Sequence, residues 1–376
     1  MNIAVLAPVR RAVPLRRGRA AAGQVALAQL LGVPEVSLWA SGTVALQAVL
    51  QHCQSRSAGA ARDEVILPAY ACPDLLTACH GAGLAPRLVD VDAQGWGYDL
   101  AGLRAALGPR TLAVVAVNLL GVGDDAARLR VAVADASVAL IQDWAQCLPQ
   151  SPQHWAGDFQ VFSFGRGKPL NLLGGGAATG VPHIAPPAAE VTLRQSLLAA
   201  ALFNLATRPW AYGLVSRLPG LGLGQTRYHA PTPLRPAPAA LARRLAVAVP
   251  SWCQHSNYSV APWLPRLAGW RSLGIEVLQA MDAQPAQGAP LRLALLARDG
   301  THRNRIMADA AARALGLTVF YGRPLPRIAD VPAGVAAQGP FLHAQHLADR
   351  LFTLPTHAGV TPRVVAAVDA LLRRAA

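Results

Sequence analysis

A single lysine, Lys168, stands among the 34 lysine and arginine residues of this 376-residue chain, and every other one is arginine. Lysine is ordinarily among the commonest residues, so a primary amine has been kept at one position where a guanidinium would not serve. A guanidinium stays protonated and is a poor nucleophile, whereas a desolvated ammonium can lose its proton and attack a carbonyl to form a Schiff base. Drift toward arginine would leave the same count, so the company Lys168 keeps must decide. Asp143 closes the apolar run Val138 to Gln142, where burial without a cation would disfavour its charged form. Ser41-Gly42-Thr43 follows another apolar run and precedes helix-spaced Val44, Leu46, Ala48, Val49 and Leu50. That arrangement offers backbone N–H groups and a helix dipole to an anion, although Ser or Thr there also reads as an ordinary N-cap. An amine on a loop, a carboxylate at a strand end and a phosphate-sized turn form the minimum kit for pyridoxal 5'-phosphate. The amine would hold the aldehyde, the carboxylate would keep the pyridine nitrogen protonated, and the turn would anchor the phosphate.

These groups need a scaffold that brings distant stretches to one rim. Short unbroken apolar runs at Val36–Ala40, Asp63–Tyr70, Ala85–Asp90, Thr111–Asn118, Val138–Gln142 and Asp158–Phe164 alternate with helix-period segments at 23–31, 75–82, 100–107 and 126–134. The pattern predicts a mostly parallel sheet covered on both faces, with ligands at the carboxyl ends of its strands. Thr43, Asn118 and Asp143 lie just past such ends, and Lys168 follows the last strand. Gly174-Gly175-Gly176 permits close backbone approach, and 177–180 reads as a returning strand. From Pro182 to Pro238 the chain reads as helix and proline-rich loop, including Gly220 to Gly224. Beyond a helix at 239–248, strands at 290–296 and 317–321 flank a helix over 304–315, and a last helix covers 362–372. The expected organisation is a large cofactor-binding domain over 1–235, with an N-terminal arm, and a small C-terminal α/β domain over 236–376.

The chain is 53% hydrophobic and 14% charged, so it should fold. Its five cysteines (53, 72, 79, 147 and 253) are scattered, with no Cys-x-x-Cys or Cys/His ligand spacing, and read as reduced thiols in a cytoplasm with no metal site. The net charge of +14 suits an anionic partner, but the arginines are spread out. The tightest cluster is Arg10-Arg11 with Arg16-Arg17-Arg19, and no nucleic-acid motif accompanies it. An acidic small molecule such as a nucleotide derivative fits the charge equally well. No apolar run is long enough to span a bilayer, and no signal peptide is expected. Leu197 to Leu205 reads as a buried helix, with a surface docking on a partner or a membrane as its alternative.

The order Ser41-Gly42-Thr43, Pro68-Ala69-Tyr70, Val89-Asp90-Val91-Asp92, Asp143-x-Ala145-Gln146 and Phe162-Ser163-Phe164, with a lysine five residues after the serine, resembles the DegT/DnrJ/EryC1/StrS family of sugar aminotransferases. The resemblance runs from about residue 20 to a closing segment, 347–357, that ends Leu354-Pro355-Thr356-His357. It implies a three-layer fold-type I transferase that uses pyridoxal phosphate. In that reading Lys168 is the Schiff-base residue and proton shuttle, and Asp143 pairs with the pyridine nitrogen. Gln146 lies beside the ring hydroxyl, and Gly42, Thr43 and Ser163 hold the phosphate. Cys72 stands where the family often stacks an aromatic residue on the ring. Asn118-Leu119-Leu120-Gly121 replaces a His-Leu-Tyr-Gly, and Gly174-Gly175-Gly176 lacks a usual glutamate. Gly224 to Tyr228 occupies the place of an Asn-Tyr-Arg segment that reaches the phosphate of a neighbouring subunit. The implied protein is a cytoplasmic homodimer that aminates a keto sugar, carried by a nucleotide, with glutamate as donor, in polysaccharide or secondary-metabolite biosynthesis. Two alternatives stay open: a sugar dehydratase-like enzyme, which in this family has histidine in place of the lysine, and a non-catalytic regulator or scaffold docked to a membrane complex through 195–230.

Overall fold

The apolar runs of the first half pair into one sheet. The computed structural model describes residues 6, 13–57, 61–93, 95, 97–121, 124–148, 156–182, 193–215, 226–254, 259–278 and 290–376. Helix α1 (Ala20–Leu31) leads into β1 (Ser37–Trp39), α2 (Gly42–Arg56), β2 (Glu64–Pro68), α3 (Asp74–Gly81), β3 (Ala85–Val89), α4 (Leu100–Ala106), β4 (Thr111–Val117), α5 (Ala126–Val133), β5 (Ala139–Asp143), β6 (Phe159–Ser163) and β7 (Gly176–Ala178). Among the described residues these seven strands lie in the order β1-β7-β6-β5-β4-β2-β3. Strands β3, β2, β4, β5 and β6 run parallel, while β7 is antiparallel to both β6 and β1. All seven residues of β4 are buried, as a strand covered by helices on both faces requires. Three helix starts are fixed by side chains that accept backbone N–H groups: Ser41 from Val44, Asp99 from Ala101 and Gly102, and Asp125 from Arg128. Each such cap stabilises its helix by about 1 kcal/mol. Trp96, from the loop before α4, lies outside the described residues. Tyr98 is buried there, its hydroxyl 3.1 and 2.8 Å from the carbonyl oxygens of Ile66 and Val115.

The later part of the chain supplies α6 (Leu193–Ala206), α7 (Pro209–Val215), α8 (Ala239–Gln254), α9 (Leu264–Arg271), β8 (Ile275–Val277), β9 (Arg292–Ala297), α10 (Gly300–Ala308), α11 (Ala310–Ala314), α12 (Ala333–Ala336), α13 (Leu342–Arg350), β10 (Leu351–Pro355) and α14 (Pro362–Ala375). Strands β10, β9 and β8 form an antiparallel three-stranded sheet. Helix α8 packs against α1 so closely that a Cβ on Gly23 would stand 1.9 Å from the carbonyl oxygen of Ala242. Leu241, Leu245 and Trp252 of α8 join a buried cluster with Leu27, Leu38, Phe162 and Phe164. The two tryptophans Trp263 and Trp270 anchor a separate cluster under β9, β10 and α14.

Three expectations change in this half. The helix expected over 304–315 is two helices, because Asp309 takes an extended backbone (φ −62°, ψ 122°) and caps α11 by accepting from Ala311 N–H. Residues 317–321 form no strand; Thr318 makes a single bridge to Thr353 before the chain leaves β10. The segment 197–205 is helical but not buried: Ala200 is buried on α6, whereas Leu198, Leu202 and Leu205, with Trp210 on α7, are exposed. Asn204 on that helix ties down the N-terminal arm, exchanging hydrogen bonds of 2.7 and 2.8 Å with the backbone of Val13. Arg10, Arg11 and Gly220 to Gly224 lie outside the described residues, as does the structure around the Cys253 side chain.

Candidate active site

The carboxyl ends of the parallel strands converge on one cleft of about 520 Å³. The eight residues expected from the sequence to bind the cofactor line it: Gly42, Thr43, Cys72, Asn118, Asp143, Gln146, Ser163 and Lys168. They arrive from five separate strand ends, those of β1, β2, β4, β5 and β6. Such convergence at the crevice beyond the carboxyl ends is what a doubly wound sheet provides for a ligand.

The turn before α2 is held tightly. A Cβ on Gly42 would lie 2.6 Å from the Cβ of Ser163, and one on Gly176 would lie 2.6 Å from Gly42 N and the Ser41 carbonyl. Glycine at both places lets β7 and β6 press the turn into position. This puts the hydroxyls of Thr43 and Ser163 on the same cleft as the first turn of the 15-residue helix α2. Ser41 is the N-cap of that helix, accepting from Val44 N–H at 3.1 Å, so the capping reading of this motif holds. Lys168 closes a turn after β6, its N–H donating to Gly165 O at 3.2 Å. Gly167 takes a left-handed φ of 73° in the same turn, which glycine adopts freely.

Asp143 is 8% exposed, and its Oδ1 accepts from Ala145 N–H at 2.8 Å. Burial raises its pKa above the usual carboxylate range; the hydrogen bond and the Lys168 charge oppose the rise, and Asp74 reinforces it. No described residue donates a hydrogen bond to Oδ2. Buried Asn118 fixes this strand end from the side, its Nδ2 donating to Asp143 O at 3.1 Å. Gln146 accepts from Leu120 N–H at 3.1 Å and donates to the hydroxyl of Tyr321 at 2.9 Å. Burial, then the Asp74 carboxylate, pushes the Cys72 thiol up to about 12, with Lys168 opposing. Cys72 is therefore a neutral wall here and no thiolate nucleophile.

Sequence reasoning missed Asp74, Tyr321 and the apolar walls Leu46, Leu75, Val117 and Val161. Asp74 could have been found as the acidic first residue of a helix two places after Cys72. Tyr321 carried no signal, because the loop bearing it reaches the cleft from across the molecule. Two sequence features fall elsewhere. His357, of the closing segment, is buried beyond β10, where its Nδ1 accepts from Gly359 N–H. Of the segment 224–228, Gly224 and Gln225 lie outside the described residues. Its Arg227 pairs with Asp330 at 2.9 Å and its Tyr228 hydroxyl meets His80 Nδ1 at 2.9 Å, both within this chain.

The donor set fits a pyridine ring carrying an aldehyde and a phosphate. A buried carboxylate with an open oxygen, an amine, and hydroxyls beside a helix start share one cleft. The architecture is that of the fold-type I pyridoxal-phosphate-dependent transferases, three layers around a mostly parallel sheet. DesI, solved in the presence of its TDP-sugar product, superposes with a TM-score of 0.68 over 100% of this chain and 93% of its own, at 22% identity. More particularly, residues 22–181, less than half of the chain, match the DegT/DnrJ/EryC1/StrS aminotransferase family. Over 164 residues the chain is 32% identical to a UDP-N-acetyl-3-dehydro-α-D-glucosamine 3-aminotransferase of Acidithiobacillus ferrooxidans, covering 43% of each. Over 146 residues it is 36% identical to an L-glutamine:2-deoxy-scyllo-inosose aminotransferase of Streptoalloteichus tenebrarius, covering 37% of this chain and 33% of that one. The matched region thus spans less than half of each relative.

Proposed function

We propose that this protein is a pyridoxal-phosphate-dependent aminotransferase that converts a keto sugar, linked to a nucleotide, to an amino sugar. The observation that carries this reading is the meeting in one cleft of the lone lysine, a buried carboxylate whose Oδ2 has no donor among the described residues, and the Thr43–Ser163 turn. The cofactor, when bound, supplies an aldehyde for amines to condense with and a ring that withdraws electrons from the neighbouring carbon. Asp143, held by Ala145 and Asn118, would keep a proton on the pyridine nitrogen, and that ion pair would offset the cost of its burial. Thr43, Ser163 and the amide of Gly42 bind the phosphate, aided by the α2 dipole. Gln146 would hold the ring hydroxyl. Lys168 would hold the aldehyde, and its Nζ, once free, would serve as the base that takes a proton from the donor carbon. Leu46, Val117 and Val161 exclude water from that transfer.

The named relatives support the sugar or cyclitol character of the acceptor, and DesI with its TDP-sugar supports the nucleotide. Glutamate is the donor in this reading, with glutamine its competitor, since the Streptoalloteichus relative is named for glutamine. A cytoplasmic setting accords with the free cysteines Cys53, Cys72, Cys79 and Cys147, and a role in polysaccharide or secondary-metabolite synthesis accords with these relatives. The exposed leucines of α6 with Trp210 are the face assigned to a homodimer. The division into a large cofactor-binding domain over 1–235 and a small C-terminal domain over 236–376 is part of this reading, with α8 of the second packed on α1 of the first.

Purified protein loaded with the cofactor should show the visible absorbance band of a lysine-bound aldehyde, and titration with glutamate should bleach it. Lys168→Ala should lack both the band and amino transfer. An unchanged band in that variant overturns the reading. Bleaching by glutamine but not glutamate revises the donor alone.

A further inference from the structure

Among the described residues that line the cleft, Tyr321 is the single aromatic side chain, and it comes from the far end of the chain. The large sheet contributes a carboxylate, an amine, hydroxyls and aliphatic walls, and nothing flat to lie against a planar ring. Cys72, in the loop between β2 and α3, offers a small neutral thiol to the same cleft. The phenol is fixed from several directions. Its backbone N–H donates to the hydroxyl of Tyr70 at 3.3 Å, and its own hydroxyl accepts from Gln146 at 2.9 Å. Its ring lies 4.2 Å from that of Phe320 and 5.5 Å from that of Tyr70. The loop on either side is docked as well: Thr318 is hydrogen-bonded to Thr353 of β10, and Leu325 N–H donates to Ala69 O at 2.8 Å. A ring held this way loses little freedom when a ligand arrives, which is the condition for a contact to add affinity.

We propose that Tyr321 is a cofactor-binding residue, the ring contact for the pyridine, supplied by the C-terminal part of the chain where the β2–α3 loop offers only Cys72. The inference rests on the functional reading above and adds a residue to it. It also makes cofactor affinity depend on the docking of the loop 317–328 against Tyr70 and Ala69, so the two halves of the chain are joined through the cofactor.

The test is the dissociation constant of pyridoxal phosphate, read by quenching of intrinsic fluorescence, with the melting temperature of each ligand-free variant as control for folding. Tyr321→Phe keeps the ring and loses the link to Gln146; it should bind within about threefold of the parent. Tyr321→Leu should bind about tenfold or more weakly, in line with an aromatic contact. Adding Cys72→Phe to Tyr321→Leu returns a ring to the same wall and should recover most of that loss. Equal affinity of Tyr321→Leu and the parent overturns the inference. So does equal weakening in the Phe and Leu variants without recovery by Cys72→Phe, the behaviour of a mere latch between loops. A parent that takes up no cofactor overturns the functional reading itself, which separates the two failures.

Discussion

Buried charge appears in both sheets of this molecule and is treated in opposite ways. Arg292, on β9 of the three-stranded sheet, is 3% exposed. Its Nε lies 2.6 Å from Thr353 Oγ1, and its Nη2 lies 2.6 Å from Gly316 O and 2.9 Å from Thr353 O. The guanidinium is consumed in tying β10 to the loop after α11. Asp143, at the end of β5 in the seven-stranded sheet, is nearly as buried, yet it has one hydrogen bond at Oδ1 and an open oxygen beside the cleft. The contrast teaches how to tell architecture from chemistry. A buried ion whose hydrogen-bonding capacity is filled by its own fold stabilises that fold, whereas one left with capacity at a cleft waits for a ligand.

The sharpest way to break this contrast is Asp143→Asn. The amide preserves shape and can still accept from Ala145, but it cannot keep a pyridine nitrogen protonated. Amino transfer should fall by about a hundredfold or more, the scale of losing a positioned acid–base partner. Stability of the ligand-free protein should move the other way with pH. The folded pKa of Asp143 is raised above 3.8, so the native state holds its proton more tightly than the unfolded chain. The parent therefore loses stability as pH rises from about 4 through that raised value, and the variant should lack this loss. Urea unfolding midpoints across pH 4 to 8 measure it. A variant with parental turnover would return Asp143 to the architectural class.

Arg292→Met should do the reverse. It takes from Gly316 O its donor and from the Thr353 carbonyl and hydroxyl one of their partners, leaving them those from Thr318, at a cost of about 1–3 kcal/mol in unfolding free energy. Cofactor affinity in the variant should stay within about twofold of the parent. A drop in affinity at unchanged stability would mean that the small sheet shapes the cleft directly.

The large sheet was legible because most of its strands are short apolar runs, and several of the polar residues just past them are ones that line the cleft. Thr43, Asn118 and Asp143 follow from that rule and Lys168 from its rarity, whereas Gly42, Cys72, Gln146 and Ser163 rest on the family resemblance. The C-terminal half resisted for physical reasons. Ala308 to Ala314 is uniformly helix-prone, so the break depends on one cap, Asp309. Leu317 to Tyr321 has strand composition but bridges the open edge of β10 at Thr318 alone. The leucines of α6 read as core because composition does not record which helices a chain leaves uncovered. Tyr321 enters the cleft through contacts with Tyr70 and Gln146, more than 170 residues away in sequence, and no local pattern encodes such a meeting.

The smallest effect gives the finest test, because it sets Asp143 beside a carboxylate that the fold does consume. Asp124 sits before α5, with Oδ2 accepting from Tyr98 N–H at 3.0 Å. Burial raises its pKa to about 6, with the hydrogen bonds from Tyr98 and Asp125 opposing. The sign matches that of Asp143: the native state favours the protonated form, so stability is lost as pH rises from about 4 through about 6. A shift of two units corresponds to at most about 3 kcal/mol, and the partial exposure of Asp124 reduces this to about 1–2 kcal/mol. Asp124→Asn, whose amide oxygen can still accept from Tyr98, should flatten that part of the stability profile in the ligand-free protein, as Asp143→Asn does. Adding pyridoxal phosphate then separates the two. A pyridinium partner should lower the pKa of Asp143 and remove its share of the slope, while Asp124, which is not among the cleft-lining residues, should keep its own. Calorimetric melting of the parent and both variants between pH 4 and 7, with and without the cofactor, reads the difference. If the cofactor leaves the Asp143 contribution in place, that carboxylate is not its partner.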